Sequence, residues 1–193
     1  MPALRALIQL LCRFYKDAGP NGHQKPFDLP PDEAKEGKRV MANTYTQIYI
    51  QIVFAVEGRQ NLIDPIHNDE LQKYITGIVT AQRQKLIAIN NMPDHAHILI
   101  GQRPDSTLSE LVGDIKSGST NFINRKRWVR GRFNWQEGFG AFSYSHSQLS
   151  TVIRYIQNQQ THHRKRSFRD EYVALLDRFN VPYEERYIFK PIE

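Results

Sequence analysis

His95 and His97 stand two residues apart in the run HAHILI. On a β-strand, side chains alternate between faces, so both imidazoles share one face and Ala96 takes the other. Two imidazoles so placed form a two-point clip for a divalent metal ion, although two half-exposed strand histidines without a ligand satisfy the same spacing. A second pair, Tyr155 and Gln159 in YIQNQ, is four residues apart and falls on one face of a helix. There a phenol can attack a phosphodiester while the neighbouring amide oxygen binds metal. The plainer reading makes Tyr155 a packing residue beside Val152 and Ile156, with Gln159 solvated. Convergence of the two pairs would give two imidazole nitrogens and one amide oxygen, with open positions for water or phosphate. Such a set suits Mn²⁺ or Mg²⁺ better than a thiolate-rich structural zinc site does. A tyrosine of ordinary pKa, about 10, is protonated at neutral pH and needs an electropositive site to attack.

The elements that must position these groups follow from periodicity. Residues 44–56 alternate, with Ile48, Ile50, Ile52, Phe54 and Val56 on one face and Gln47, Tyr49 and Gln51 on the other, which predicts a half-buried strand. Pro65 opens a helix whose apolar face is Leu71, Tyr74, Ile75, Ile78 and Val79. Two strands, 85–91 and 95–102, flank the turn Met92-Pro93-Asp94. Thr107 and Glu110 form a capping-box pattern ahead of a long helix through Ile123. A fourth strand is expected at 141–145, then a helix capped by Ser150 or Thr151 that runs through VIRYIQNQQTHH, and a last helix at 167–179. Strand, helix, strand, strand, helix, strand is the order of a ferredoxin-like α+β fold. It implies an antiparallel sheet with helices on one face and a C-terminal helical extension carrying Tyr155.

Composition bounds the rest. The chain has 193 residues and is 40% hydrophobic, enough for one domain with a core. Residues 1–41, which begin with a short amphipathic stretch and continue as a Pro-, Gly- and charge-rich segment, read as an extension and linker that is dispensable for the fold. Residues 42–193 are the domain. Cys12, the lone cysteine, has no intrachain partner, which fits a reducing cytoplasm. No apolar run approaches the roughly 18 residues of a membrane span.

With 26 Lys and Arg against 20 Asp and Glu, the formal charge is +6, a field that favours polyanions. Lys116, Arg125, Lys126, Arg127, Arg130 and Arg132 gather around the end of the second long helix, interleaved with Trp128, Phe133 and Trp135. This is a pattern for phosphate pairing and base stacking on nucleic acid. It is equally a solvated helix end with aromatics in the core, and Trp135 is expected in the core. A second basic run, His162, His163, Arg164, Lys165, Arg166 and Arg169, follows the Tyr155 helix.

The segments MPDHAHILI, FNWQEGFGAFSYS and YIQNQQTHHRKRSF resemble the single-tyrosine HUH transposases of small insertion sequences that move as single-stranded DNA. The resemblance spans roughly residues 43–189. It implies that His95 and His97 are the paired metal-binding histidines, Gln159 the third ligand and Tyr155 the nucleophile, with Mg²⁺ or Mn²⁺ as cofactor. It further implies hairpin-ended single-stranded DNA as substrate, a 5′-phosphotyrosine intermediate, and a homodimer in which the tyrosine helix can serve the partner's histidines. Asn90 and Asn91 stand before the turn where the family often has an acidic residue, and the first 40 residues have no counterpart. Related alternatives are a domesticated palindrome-processing enzyme or an HUH nickase. From another class, a non-catalytic module could bind nucleic acid through exposed strand aromatics such as Tyr45 and Tyr49.

Overall fold

The computed structural model describes residues 45–163 and 167–188, so the amino-terminal extension and the basic residues Arg164, Lys165 and Arg166 lie outside the described residues. The elements are β1 (Tyr49–Ala55), α1 (Asn68–Ala81), β2 (Lys85–Asn91), β3 (His95–Gly101), α2 (Leu108–Lys126), β4 (Gly140–Tyr144), α3 (Leu149–Gln157), α4 (Gln159–His163), α5 (Phe168–Arg178) and α6 (Glu185–Ile188). The strands form one sheet in the order β2-β3-β1-β4, with each neighbouring pair antiparallel. The crossovers β1-α1-β2 and β3-α2-β4 each step over one strand. This is the ferredoxin-like split βαβ arrangement.

Alternation decides what each face of the sheet holds. Ile52, Phe54 and Val56 of the first strand segment and Ala96, Ile98 and Ile100 of β3 point toward α1 and α2. There they meet Leu71, Ile75 and Val79 of α1 and Leu111, Ile115 and Phe122 of α2. Thr107 caps α2 through the capping box with Glu110 read from the sequence. The opposite face carries Val53, Ala55, Leu99, Phe142 and Tyr144, and the carboxy-terminal helices cover it with Val152, Ile156, Leu175 and Leu176. Burying each such aliphatic side chain contributes about 1.5–3 kcal/mol before ordering costs.

The structure corrects four expectations. β1 is not half-buried, since Ile52 on one face and Val53 on the other are both 0% exposed. With both faces covered, the sheet has no open aromatic platform: Tyr49 is half-buried, and the exposed Tyr45 precedes the strand. The helix bearing Tyr155 is entered through a 3-10 turn, His146–Gln148, and the cap is Ser145 with Gln148, not Ser150 or Thr151. That helix also stops early. Asn158 leaves helical geometry at φ −95°, ψ 18°, and α4 starts afresh at Gln159. Asparagine favours such breaks because its short amide competes for backbone hydrogen bonds.

Candidate active site

β3 delivers the two histidines to the face beneath the carboxy-terminal helices, where His95 pairs with Ala55 and His97 with Val53 of β1. Both are 0% exposed. Their rings stand edge to face with centroids 5.0 Å apart, and His95 is stacked on Phe168 of α5 at 4.0 Å. Each Nδ1 has a partner. Asp94 Oδ1 lies 2.6 Å from Nδ1 of His95. The Gln51 amide lies 3.0 Å from Nδ1 of His97 and accepts from the Tyr144 hydroxyl at 2.9 Å. Such partners fix ring orientation and leave Nε2 to face the site. Burial lowers the His97 pKa to about 3, so its imidazole is neutral at physiological pH.

The tyrosine arrives from the adjacent helix. Asn90, opposite His97 in the β2-β3 ladder, donates through Nδ2 to the Ile156 carbonyl at 2.8 Å and so ties the end of α3 to the sheet. This satisfies a helix-terminal carbonyl that would otherwise lack a partner. It gives a role to a residue at which the chain departs from its family resemblance. Tyr155 stands edge to face with His97, ring centroids 5.9 Å apart. Its hydroxyl donates a hydrogen bond to Glu171 Oε1. Burial first, and then the adjacent Glu171 carboxylate, push the Tyr155 hydroxyl pKa well above the usual phenol range.

Glu171 is the hub of the arrangement. Gln159 donates through Nε2 to its Oε1 at 2.9 Å, and His97 Nε2 lies 3.4 Å from that oxygen. His163 Nε2 lies 2.7 Å from its Oε2. Burial pulls the Glu171 carboxyl pKa up, but the hydrogen bonds from His163, Tyr155 and Gln159 and the nearby His97 outweigh it. They hold the carboxyl below the ordinary range. Although the helix breaks between them, Tyr155 and Gln159 therefore still meet, both on one carboxylate. Sequence reasoning missed Glu171 as a site residue and placed His163 only in a basic run. The available signal was that Glu171 sits on the buried stripe Phe168, Glu171, Leu175 of α5, where an unpaired charge would be costly.

The groups present fit a divalent cation. His95 Nε2, His97 Nε2 and Gln159 Oε1 are buried without a hydrogen-bond partner. One ligand atom from each of His95, His97, His163 and Glu171 lies within 4.8 Å of the others. Unpaired lone pairs in a dry site are costly unless a cation or donor meets them. Beside Tyr155, a cleft of about 410 Å³ opens between α3 and α5, lined in part by Ser147, Gln148, Thr151, His162 and Arg178.

The basic residues around the end of α2 do not gather at this site. Arg125, Lys126, Arg127, Arg130 and Arg132 are exposed at and beyond the end of α2, the helix on the opposite sheet face. Lys126 pairs with Glu70 at 2.6 Å. Lys116 is turned inward, where its ammonium donates to the Gln136 carbonyl at 2.8 Å and to that of Gly138. Desolvation lowers its pKa to about 8. The interleaved aromatics serve the core. Phe133 is 0% exposed, Trp135 donates to Ser119 Oγ at 2.8 Å, and the half-buried Trp128 is stacked on His67.

The family model for IS200-like transposases matches residues 44–159, more than half of the chain and the stretch that holds both histidines, Tyr155 and Gln159. The chain belongs to the IS200-like transposase family. Among curated relatives, the ISDra2 transposase TnpA of Deinococcus radiodurans is 21% identical over 134 residues, covering 67% of this chain and 93% of that protein. A solved Deinococcus radiodurans R1 transposase structure has 24% identity and a TM-score of 0.48, covering 64% of this chain and 98% of its own. A REP-associated tyrosine transposase bound to a REP hairpin has 15% identity and a TM-score of 0.49, covering 65% and 74%. Membership in the IS200-like transposase family places the chain among the proteins of DNA transposition. Among its described residues, no helix is long and apolar enough to cross a membrane.

Proposed function

We propose that this transposase cleaves and rejoins single-stranded DNA at hairpin-flanked ends through a covalent link between Tyr155 and a 5′ phosphate. The observation that carries the reading is the meeting of Tyr155, His97 and Gln159 around one buried carboxylate, from elements distant in sequence. In the reaction, the Tyr155 oxygen attacks phosphorus as the bond to the 3′ oxygen breaks. The phenol gives up its proton as the new bond forms, the departing 3′ oxygen takes up a proton to become a hydroxyl, and the other strand end stays on the enzyme as a phosphotyrosine. Reversal by a different 3′ hydroxyl joins new partners and needs no nucleotide cofactor, because the phosphodiester energy is kept in the aryl ester.

The residues have separable tasks. Glu171 accepts the hydrogen bond of the Tyr155 hydroxyl and so aims the phenol. His95 and His97, oriented by Asp94 and Gln51, would hold a divalent ion, with Gln159 as the third donor; Mg²⁺ and Mn²⁺ are the ions the resemblance implies. When bound, that ion supplies positive charge that polarises a phosphoryl oxygen and favours an ionised phenol. The cleft beside Tyr155 offers room for a nucleotide next to the scissile bond, with Arg178 available to a phosphate. The exposed Arg125, Arg127, Arg130 and Arg132 would hold more distant DNA, such as a hairpin stem. Tyr155 stands against His97 of its own chain, an arrangement that supports action within one copy. A homodimer would then bring two DNA ends together.

The test is incubation of the purified chain with end-labelled single-stranded DNA carrying its element's hairpin ends, with Mn²⁺ or Mg²⁺ added. The expected outcome is a denaturation-resistant protein–DNA adduct in the wild type and none in Tyr155→Phe. An equal adduct in Tyr155→Phe, or none in the wild type, refutes the reading.

A further inference from the structure

The cleft beside Tyr155 is a groove walled by two rows of side chains at helical spacing. Ser147, Thr151 and Tyr155 form one row, and Glu171, Ala174 and Arg178 of α5 form the other. We propose that this groove holds the first nucleoside of the strand that stays on Tyr155 after cleavage, with Arg178 on a phosphate beyond the scissile one. The inference rests on the reading that Tyr155 attacks a DNA phosphodiester, and it assigns the groove to one side of the broken bond.

The geometry of the reaction decides the side. In-line attack sets the Tyr155 oxygen and the departing 3′ oxygen at opposite poles of the phosphorus, so the departing nucleoside points away from the tyrosine. The 5′ oxygen lies in the plane between the poles, and the nucleoside it carries leaves sideways. A groove whose wall is the tyrosine's own helix face is open to that sideways nucleoside. It lies on the wrong side of the phosphorus for the departing one.

The lining suits a nucleoside. A volume of about 410 Å³ is that of a small-molecule site. Tyr144, Val152 and Leu175 are buried and offer a base an apolar surface. Polar groups are available beside them. Gln148 spends Oε1 on the Ser145 cap, which leaves its Nε2 hydrogens for a ligand, and Thr151 is exposed on the same wall.

Arg178 supplies the charge. It is exposed and takes part in none of the ion pairs among the described residues. It lies about two turns beyond Glu171 on the same face of α5, roughly 10 Å along the axis, which is too far to share the scissile phosphate. A subsite here has a clear use in strand exchange. Once the departing strand is free, the covalently held end must stay aimed for a new 3′ hydroxyl.

The experiment uses the full chain and hairpin-ended single-stranded DNA, either intact or made abasic at the first nucleoside of the retained strand. Loss of that base should slow adduct formation about tenfold or more. Ala174→Phe, which fills the groove from α5, and Arg178→Gln should each slow intact DNA about fivefold or more. Circular dichroism confirms that both variants are folded. On abasic DNA, Ala174→Phe should slow the reaction no further, because the contact it blocks is already gone. Binding is read separately in EDTA, with the fluorescent base aminopurine at the retained position. Its emission should change on binding wild type and not on binding Ala174→Phe. Equal rates with and without the retained base, equal slowing of intact and abasic DNA by Ala174→Phe, or an aminopurine signal that this variant leaves unchanged would overturn the proposal. If wild type forms no adduct while the aminopurine signal appears and Ala174→Phe abolishes it, the groove stands and the proposed reaction fails. If the adduct forms at one rate with and without the retained base, the groove fails and the reaction stands.

Discussion

Replacing Gln51 by Leu should injure both stability and metal binding, because one buried amide serves two polar groups. Gln51 is 0% exposed and lies on the β1 face that looks at His97, between its Nδ1 at 3.0 Å and the Tyr144 hydroxyl at 2.9 Å. A metal on Nε2 requires the proton on Nδ1. Turning the amide by half a rotation keeps both contacts: Oε1 then accepts from Nδ1–H, and Nε2–H donates to the Tyr144 oxygen. Leu keeps the volume and removes both partners. Each stranded buried group costs about 1–3 kcal/mol. His97, at 0% exposure, bears its full cost, whereas Tyr144 sits at 9% and can borrow water. The sum expected is about 2–4 kcal/mol, within the 5–15 kcal/mol typical of a domain, so the variant still folds. Loss of the partner that sets a ligand's tautomer weakens metal affinity by about 10–100-fold. Tyr144→Phe removes only the outer hydroxyl and should cost about 1–2 kcal/mol, with a smaller effect on the metal. Urea unfolding in EDTA gives the first quantity, and calorimetric titration with Co²⁺ or Mn²⁺ gives the second. A Gln51→Leu protein within about 0.5 kcal/mol of wild type and with unchanged affinity refutes the reasoning.

Two other outcomes follow from the same region. In EDTA, the urea midpoint should fall as pH drops from about 6.5 toward 3. The unfolded chain takes up a proton at His97 near 6.5, whereas the folded chain resists until about 3, and Glu171, also depressed in the folded state, adds to the loss below about 4.5. The His97 contribution is bounded at about 5 kcal/mol, and a midpoint that stays level from pH 7 to 4 would contradict it. Gly140→Ala should cost about 1–3 kcal/mol and loosen α5, because a Cβ there would lie 2.9 Å from the Tyr172 ring and hydroxyl and 3.0 Å from Phe142. Limited proteolysis would show earlier cleavage in α5, and relief by Tyr172→Leu would identify the clash as its cause.

Local pattern made much of this protein legible in its sequence. Alternation in the first strand, the capping box at Thr107 and the helical spacing from Leu71 to Val79 each depend on residues a few positions apart. Their order sufficed for the ferredoxin-like topology, since short connections and split crossovers leave few alternatives. The shared face of His95 and His97 was equally determined, because a strand's period of two admits no other outcome. Periodicity does not say which helix will lie over which sheet face. The burial of Gln51, the hold of Asn90 on the Tyr155 helix and the use of Lys116 inside the fold all depend on that packing.

The tertiary structure decided the composition of the site. Glu171 carried a local sign, a charge on an apolar stripe, but its partners lie on strands and helices far away along the chain. What the sequence by itself determined was which side chains could face the same way. Only the packing of α3, α4 and α5 on the second face of the sheet brought Tyr155, Gln159, His163 and Glu171 to the histidines, because that contact comes from burial of Val152, Ile156, Leu175 and Leu176 against the sheet, an attraction without direction that no spacing of residues encodes.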